Sequence, residues 1–391
     1  MSIQIGERYH NAIEMEELER RWAVTRKAMA AEKIDCIVLY NVDRRLGGAI
    51  KYYLDLPNGS YPASALLPIE GGLTYIAHGP KGSPGVAPYA ARGCEYNIAV
   101  PMMPVMSYTD DYVGIEEVRI IKEKGYKKVG IFRMNMITAA LYNYLVKHLP
   151  DVEFVDCSEM VDRIKAVKSD LELKILKTVV ELHDRLLGLV PTLLRPGRTE
   201  REIADDIQYA GMRMAAANFN VLCGSGPTKP SLNQYFFQNR VLQKGDQFQC
   251  LIEVDGPSGY WGEVGRIWSL GEPAPVVVQA NKDAYELQQL IGALSKPGVK
   301  GCELLAELNR GLAKRGYYPE NRLFAHGQGY DMVERPSFVP EERMELEENM
   351  FLAIHPTCAN AETSAYCCDN YVVKKDGGVR LNTTSQEIVV V

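Results

Sequence analysis

The stretch QCLIEVDGPSGYWGEVGR, residues 249–266, decides the fold. An apolar run carries Glu253 and Asp255 at its end, breaks at Gly-Pro-Ser-Gly, and resumes with Tyr260, Trp261 and a further carboxylate, Glu263. Turn signals flank it, Gly245-Asp246 before and Gly271-Glu272-Pro273 after, so the spacing predicts a β-hairpin. Taking an unpaired charge out of water is costly, so acids in apolar strands need a reason. Either the hairpin is exposed and its acids are solvated, or they line a site. Later segments favour the site, because they carry similar out-of-place groups: His326, His355 and Asp369.

Outward from the hairpin, strands are expected on its N-terminal side in NVLCGSG and on its C-terminal side at 322–326, 350–355 and 366–374, with helices at 276–295 and near 302–315. Strands and helices are segregated here, which reads as α+β. Upstream, residues 162–168 read as a loop and Ser169 as the N-cap of a long helix, with Glu172 closing a capping box. Arg195-Pro-Gly-Arg-Thr-Glu200 reads as a turn and second cap before a helix reaching about residue 216. The first ~160 residues alternate strand and helix, opening with a charged amphipathic helix that sets Leu18, Trp22, Thr25 and Met29 on one stripe. That alternation predicts an α/β domain with a mostly parallel or mixed sheet. Its first strand runs into Asn41-Val-Asp-Arg-Arg45 rather than a Gly-rich phosphate loop, so no nucleotide site is expected. The domains are accordingly set at 1–162 and 163–391.

At 391 residues the chain is too long for one average core. Net charge is −6, and no basic stripe or arginine-rich arm occurs, which argues against nucleic acid as a partner. The cysteine count is 9, with no Cys-x-x-Cys spacing, and buried reduced thiols in the cytosol are the expectation. The N-terminus has neither signal-peptide nor transit-peptide character, and no stretch approaches a membrane-spanning length. A cytoplasmic protein with no membrane partner is expected.

Several pieces resemble the creatinase/aminopeptidase P family, whose catalytic domain is the pita-bread fold. They are Arg163-Ile-Lys-x-x-Lys168, Arg195-Pro-Gly-x-Thr-Glu200, Lys244-Gly-Asp246, Gly259-Tyr-x-x-Glu-x-x-Arg266, the run AHGQGYDMVERP (325–336), and Asn349-Met-Phe-Leu-Ala-Ile-His-Pro356. They fall in family order over about residues 160–391. The resemblance implies a creatinase-like α/β N-terminal domain before an α+β pita-bread domain.

In the family's peptidases, Asp, Asp, His, Glu and Glu hold two divalent metals. Carried onto this chain, the first Asp falls on Leu251 or Glu253, with Asp255 a further candidate. The second falls on Glu263, the His on His326, the first Glu on His355 and the last on Asp369. A further family histidine falls on Asn233. A bridging carboxylate holds two ions about 3.5–4 Å apart, and an imidazole offers one nitrogen to one ion. The resemblance therefore implies a degenerate centre without the dinuclear metal. No cofactor is expected, although a single divalent ion on Glu263, His326, His355 and Asp369 is allowed.

Creatinase shares the fold and works without metal, through histidine proton transfer, carboxylates that hold a guanidinium and arginines that hold a carboxylate. On that pattern the chain is expected to be a homodimeric hydrolase or lyase that cleaves a C–N bond in a small polar metabolite. The catalytic candidates are His326, His355, Glu263, Asp369 and Glu253. Glu253 and Asp255 share parity along the strand, so both could face one cavity. An imidazole at 355 beside the Glu263 charge is expected to have a raised pKa and to act as a general acid.

The substrate-binding candidates are Arg335, Asn233, Tyr260, Asp255 and Arg45, with Arg44 beside Arg45 on the same loop. Three of them have a plain structural alternative. Arg335 could tie a Glu and fix its loop, Tyr260 could be core, and Arg45 could be solvated. Two further functions stand beside this one: a mononuclear metal-dependent lyase or Xaa-Pro peptidase, and a non-catalytic pita-bread binding module.

Overall fold

The computed structural model describes residues 13–41, 45, 48–56, 59 and 61–391. It divides into two units, Met1–Lys165 and Ala166–Val391. In the first, helix α1 (Met15–Glu32) buries Leu18, Trp22, Thr25 and Met29, the stripe expected of its sequence. Strands β1 (Cys36–Asn41), β2 (Ala63–Pro68), β3 (Leu73–His78), β4 (Cys94–Val100), β5 (Lys128–Phe132) and β6 (Glu153–Asp156) form one sheet in the order β4-β3-β2-β1-β5-β6. The sheet is mixed: β1 and β3 each run antiparallel to β2, while β3–β4, β1–β5 and β5–β6 are parallel. Helices α2 (Gly48–Leu54), α3 (Asp111–Lys124) and α4 (Ala139–His148) complete the pattern, and α3 and α4 bury Val113, Ile120, Ile121, Leu141 and Leu145 in one core with Val38 and Ile131 of the sheet. Helix α5 (Ser158–Ala166) occupies most of the segment read as a loop.

The second unit begins with α6 (Asp170–Leu193), whose N-terminus carries the expected Ser169–Glu172 capping box, and α7 (Glu200–Arg213), capped by Thr199 and Glu202. Strands β7 (Phe219–Gly226), β8 (Gln247–Asp255) and β9 (Trp261–Ser269) follow, β8 and β9 forming the expected hairpin. Side chains alternate across a strand, and the alternation is sharp here. Phe248, Cys250, Ile252 and Val254, with Val264 and Trp268, pack under α6 and α7. Glu253 and Glu263, paired directly across the hairpin, share the opposite face. Gly262 lets α6 approach, since a Cβ there would lie 3.0 Å from His183 and 3.3 Å from Val179.

Helices α8 (Pro275–Leu294) and α9 (Gly301–Lys314) precede strands β10 (Ala325–Gly327), β11 (Glu334–Ser337), β12 (Phe351–Ile354), β13 (Thr357–Ala359), β14 (Ser364–Tyr366), β15 (Asp369–Lys374), β16 (Gly377–Arg380) and β17 (Val389–Val390). One sheet is ordered β17-β9-β8-β7, a second β11-β10-β12-β15-β16, and β13–β14 is a small hairpin. The second sheet repeats the logic of the first. Ala325, Leu352, Ile354, Tyr371 and Val373 pack against α8 and α9 residues such as Leu287, Ile291 and Leu308. His326 pairs with Ala353, and Ala353 with Asn370, on the other face. An antiparallel bridge between Gly265 and Cys368 joins the two sheets. Gly265 is required at this crossing, because a Cβ would lie 2.7 Å from the Tyr366 ring and 3.2 Å from the Cys368 Cβ. Each sheet thus buries one face under a helix pair and turns the other inward. Among the described residues, no helix is long and apolar enough to cross a membrane.

Candidate active site

The two inward faces meet at Glu263. Its Oε1 lies 3.5 Å from His355 Nε2 and its Oε2 lies 3.6 Å from His326 Nε2. One ligand atom from each of Glu263, His326 and His355 falls within 4.8 Å of the others, and all three residues are buried. Sequence position explains the convergence. Glu263 is on β9, His326 is the middle residue of β10, and His355 directly follows β12. The His326 Nδ1 faces the Gly327 carbonyl oxygen at 2.9 Å, which suits an Nδ1–H tautomer and leaves the Nε2 lone pair toward Glu263. His355 Nδ1 is buried without a hydrogen-bond partner. The imidazole centroids are 5.3 Å apart, and the His355 ring stacks on Tyr366 at 5.7 Å.

Two further donors hold the carboxyl. Cys368 Sγ lies 3.0 Å from Oε1 and Gln328 Nε2 lies 3.2 Å from Oε2. Asn370 fixes the backbone beneath, accepting from the Glu263 N–H at 3.2 Å and donating to its carbonyl at 2.7 Å. Neither Cys368, Gln328 nor Asn370 was a candidate from sequence. Glu253 hydrogen-bonds to Glu263 and accepts from the Asn220 side-chain amide.

Burial, and then the neighbouring Glu253 charge, holds Glu263 well above the usual carboxylate range. Burial lowers both histidines, His326 to about 4 and His355 well below its ordinary value, the latter also because of His326. The expectation of a raised pKa at His355 is therefore corrected. Burial is the largest influence on His355, and a Glu263 whose own pKa is raised offers it less charge than an ordinary carboxylate would.

Asp369 does not join the group. It pairs with Ile354 in the β12–β15 register, so its side chain takes the opposite face from Asn370. There it accepts from Arg266 at 2.6 Å, Arg380 at 3.1 Å and Gln386 at 3.0 Å. Cys368, one residue earlier, has the parity that reaches Glu263.

Asp255 also belongs elsewhere. It accepts from the Ala217 and Asn218 backbone N–H groups and the Asn218 amide, closing the end of the hairpin. Of the two acids, Glu253 is the one beside Glu263.

Most of the substrate-binding candidates have structural partners instead. Arg335 forks onto Glu342 at 2.6 and 3.0 Å, the tie that sequence reading gave as its alternative. The Tyr260 hydroxyl donates to Glu172 at 2.7 Å, and its ring stacks 3.9 Å from Tyr330. This fastens the hairpin to the start of α6. Asn233 makes a backbone bridge to Cys223, at the end of the loop that carries Leu232. Arg45 is exposed in the first unit, and Arg44 lies outside the described residues.

An apolar cluster flanks the acid–imidazole group: Leu251, Ala353, Tyr366 and Cys368 are buried, with Leu222 and Leu232 half-buried against them. Arg322 lies 5.9 Å over the Tyr366 ring and donates to Thr357.

Residues 174–385 match the model of metallopeptidase family M24, and residues 21–167 match that of the creatinase/prolidase N-terminal domain. Similar curated proteins include the uncharacterized peptidase YqhT of Bacillus subtilis, 24% identical over 277 residues, covering 69% of this chain and 77% of that one. The probable dipeptidase PepE of Mycobacterium bovis is 29% identical over 243 residues, covering 60% of this chain and 63% of that protein, just under two thirds of its length. Among solved structures, the X-Pro aminopeptidase of Thermotoga maritima superposes with a TM-score of 0.80 at 19% identity, covering 95% of this chain and 99% of that one, which speaks to the fold. The chain belongs to metallopeptidase family M24, whose catalytic domain it carries behind a creatinase/prolidase N-terminal domain, and hydrolase is the enzyme class that goes with that membership.

Proposed function

We propose that this chain hydrolyses an amide-type C–N bond in a small substrate at a single divalent ion held by Glu263, His326 and His355. The observation that carries this reading is the convergence of one carboxylate and two imidazole nitrogens within 4.8 Å in a buried setting. Two histidines with one carboxylate suit zinc or ferrous iron, with positions left for water and substrate. Where the resemblance places bridging carboxylates, this chain has His355 and Asp369; the first is an imidazole, and the second faces away while Cys368 stands beside Glu263 in its stead. When bound, the ion would polarise a substrate carbonyl and acidify a water.

The protein residues then have separate tasks. Glu253, opposite Glu263 and 6% exposed, is the carboxylate that takes the proton from the attacking water and returns it to the leaving nitrogen. Asn220 holds Glu253 in that direction. Leu222, Leu232, Leu251 and Tyr366 take an apolar group of the substrate and exclude bulk water. Relatives named as dipeptidases support a short peptide as substrate. A creatinase-like amidine or urea is the other class to test. The proposal extends to a cytosolic homodimer with a small-molecule substrate.

The test is metal analysis of protein purified without chelator, followed by assays of chelated and reloaded enzyme on X-Pro dipeptides, ureas and amidines. One ion per chain, hydrolysis restored by that ion, and loss of both in His326→Ala are expected. Hydrolysis that persists in metal-free protein overturns the proposal in favour of metal-free acid–base catalysis by the two histidines. Two ions per chain overturn it in favour of the dinuclear chemistry of the family.

A further inference from the structure

The Glu263 carboxyl is held in an unusually complete way. Each oxygen has one imidazole nitrogen near it, His355 for Oε1 and His326 for Oε2, and one protein donor, Cys368 for Oε1 and Gln328 for Oε2. A carboxylate oxygen has two lone-pair directions. One donor at each oxygen accounts for one of those directions and leaves another for an ion shared with the nearby imidazole. The remaining neighbour, Glu253, hydrogen-bonds to the same carboxyl.

Both donors are themselves fixed. Cys368 exchanges two backbone hydrogen bonds with Gly265, at 3.1 and 3.2 Å. The Gln328 backbone N–H donates to Phe351 at 3.0 Å, and its amide also reaches the Met332 carbonyl at 3.4 Å. The Gln328 Oε1 is buried with no partner, so this side chain is kept in place for its NH2 rather than for balanced hydrogen bonding. A residue free to choose would turn that oxygen to a donor.

We propose that Cys368 and Gln328 are positioning residues that direct the two Glu263 oxygens inward, one toward each imidazole, and so make the centre a site for one ion. A second ion would compete with the thiol and the amide for the carboxylate lone pairs that they take up. The inference rests on the single-ion reading above but concerns different residues, and the two fail separately.

The test uses the full-length protein and Co2+ as probe, titrated against a competing chelator dye, with the cobalt visible spectrum recorded alongside. Wild type is expected to bind one Co2+. Cys368→Ala and Gln328→Leu are expected to bind it about 10–100-fold more weakly, the usual loss when a partner of a metal ligand is removed, with an altered spectrum. Cys368→Ser, which keeps an O–H donor, is expected to recover affinity to within a few-fold. Melting temperatures of the metal-free proteins separate positioning from folding, and those of Cys368→Ser and Gln328→Leu should match wild type. Wild-type affinity and spectrum in both Cys368→Ala and Gln328→Leu would overturn the inference and leave the single ion standing. Failure of Cys368→Ser to recover would also overturn it, since the hydroxyl supplies the same donor. Absence of Co2+ binding in the wild type would overturn the single-ion reading itself.

Discussion

Glu263 and Asp369 are both buried acids on adjoining strands of one domain, and their surroundings are opposite. Asp369 accepts from the guanidinium groups of Arg266 and Arg380 and from the Gln386 amide. Among the described residues Glu263 has no arginine or lysine bonded to it; its neighbours are two imidazoles, a thiol, an amide and a second acid. A buried charge answered by fixed cations is part of the scaffold. A buried acid set among imidazoles, a thiol and an amide is what the proposed site needs in order to take a cation from outside.

The largest test of that contrast is stability. Removing one member of a buried ion pair strands the other and costs roughly 3–5 kcal/mol. Asp369→Ala is expected to lose that much in urea unfolding, because Arg266, 4% exposed, would be left behind. Glu263→Gln, measured with chelator present, is expected to change stability by less than about 1 kcal/mol, since it removes no cation's partner and keeps the shape. Equal losses in the two variants would erase the distinction between scaffold acid and site acid.

A third buried acid, in the first unit, sharpens the comparison. Glu117 on α3 is fully buried, accepts from the Ser64 hydroxyl, and has an Oε2 without a partner. Burial pushes its pKa up to about 7, against the pull of the Ser64 hydrogen bond. The folded state then holds a proton that the unfolded chain releases near 4.5, so this group favours folding below that pH. Its contribution falls by about 1.4 kcal/mol per pH unit as pH rises to about 7, roughly 3 kcal/mol in all. Glu117→Gln should flatten that slope between pH 5 and 7 while leaving the metal count unchanged. A slope identical to wild type would mean that Glu117 is already ionised at the lower pH.

Next in size is the catalytic contrast between the two hairpin acids. Glu253→Gln is expected to lower kcat about 100-fold with the ion still bound, the scale of a lost general base. Asp255→Asn, at a side chain that accepts from the backbone N–H groups and amide at the hairpin's end, is expected to leave kcat within a few-fold. Comparable losses of kcat would put both acids in the cavity, as their shared parity allowed.

Much of this contrast was legible in the sequence, and the gaps have physical causes. The 249–266 hairpin was readable because turn residues bracket it and its apolar side recurs with period two. The Ser169–Glu172 cap was readable because a capping box has fixed spacing. Helix α5 was missed although Met160, Val161 and Lys165 are buried at helical spacing, because residues 162–168 read as a loop before the Ser169 cap. In Cys367-Cys368-Asp369 the acid drew attention by its chemistry, yet a one-residue shift carries every strand side chain to the other face. Register fixed by the Gly265–Cys368 bridge decided the matter, and pairing between distant strands leaves no local mark. The same holds for Arg335, whose partner Glu342 stands beyond β11 at no characteristic spacing.

Arg335 supplies the smallest of the tests. Its guanidinium is only partly buried, and Glu342 keeps the Ser337, Arg343 and Met344 backbone N–H groups if the arginine is lost. Against the opposing effect of burial, the Arg335 guanidinium and the Met344 and Ser337 N–H groups hold Glu342 down at about 2. Arg335→Ala is therefore expected to cost only about 1 kcal/mol of stability, read as a small shift in the urea midpoint. It should leave KM for a carboxylate-bearing dipeptide unchanged. A KM that rises ten-fold while the midpoint holds would return Arg335 to the substrate, and would show that its fork turns from Glu342 when a better carboxylate arrives.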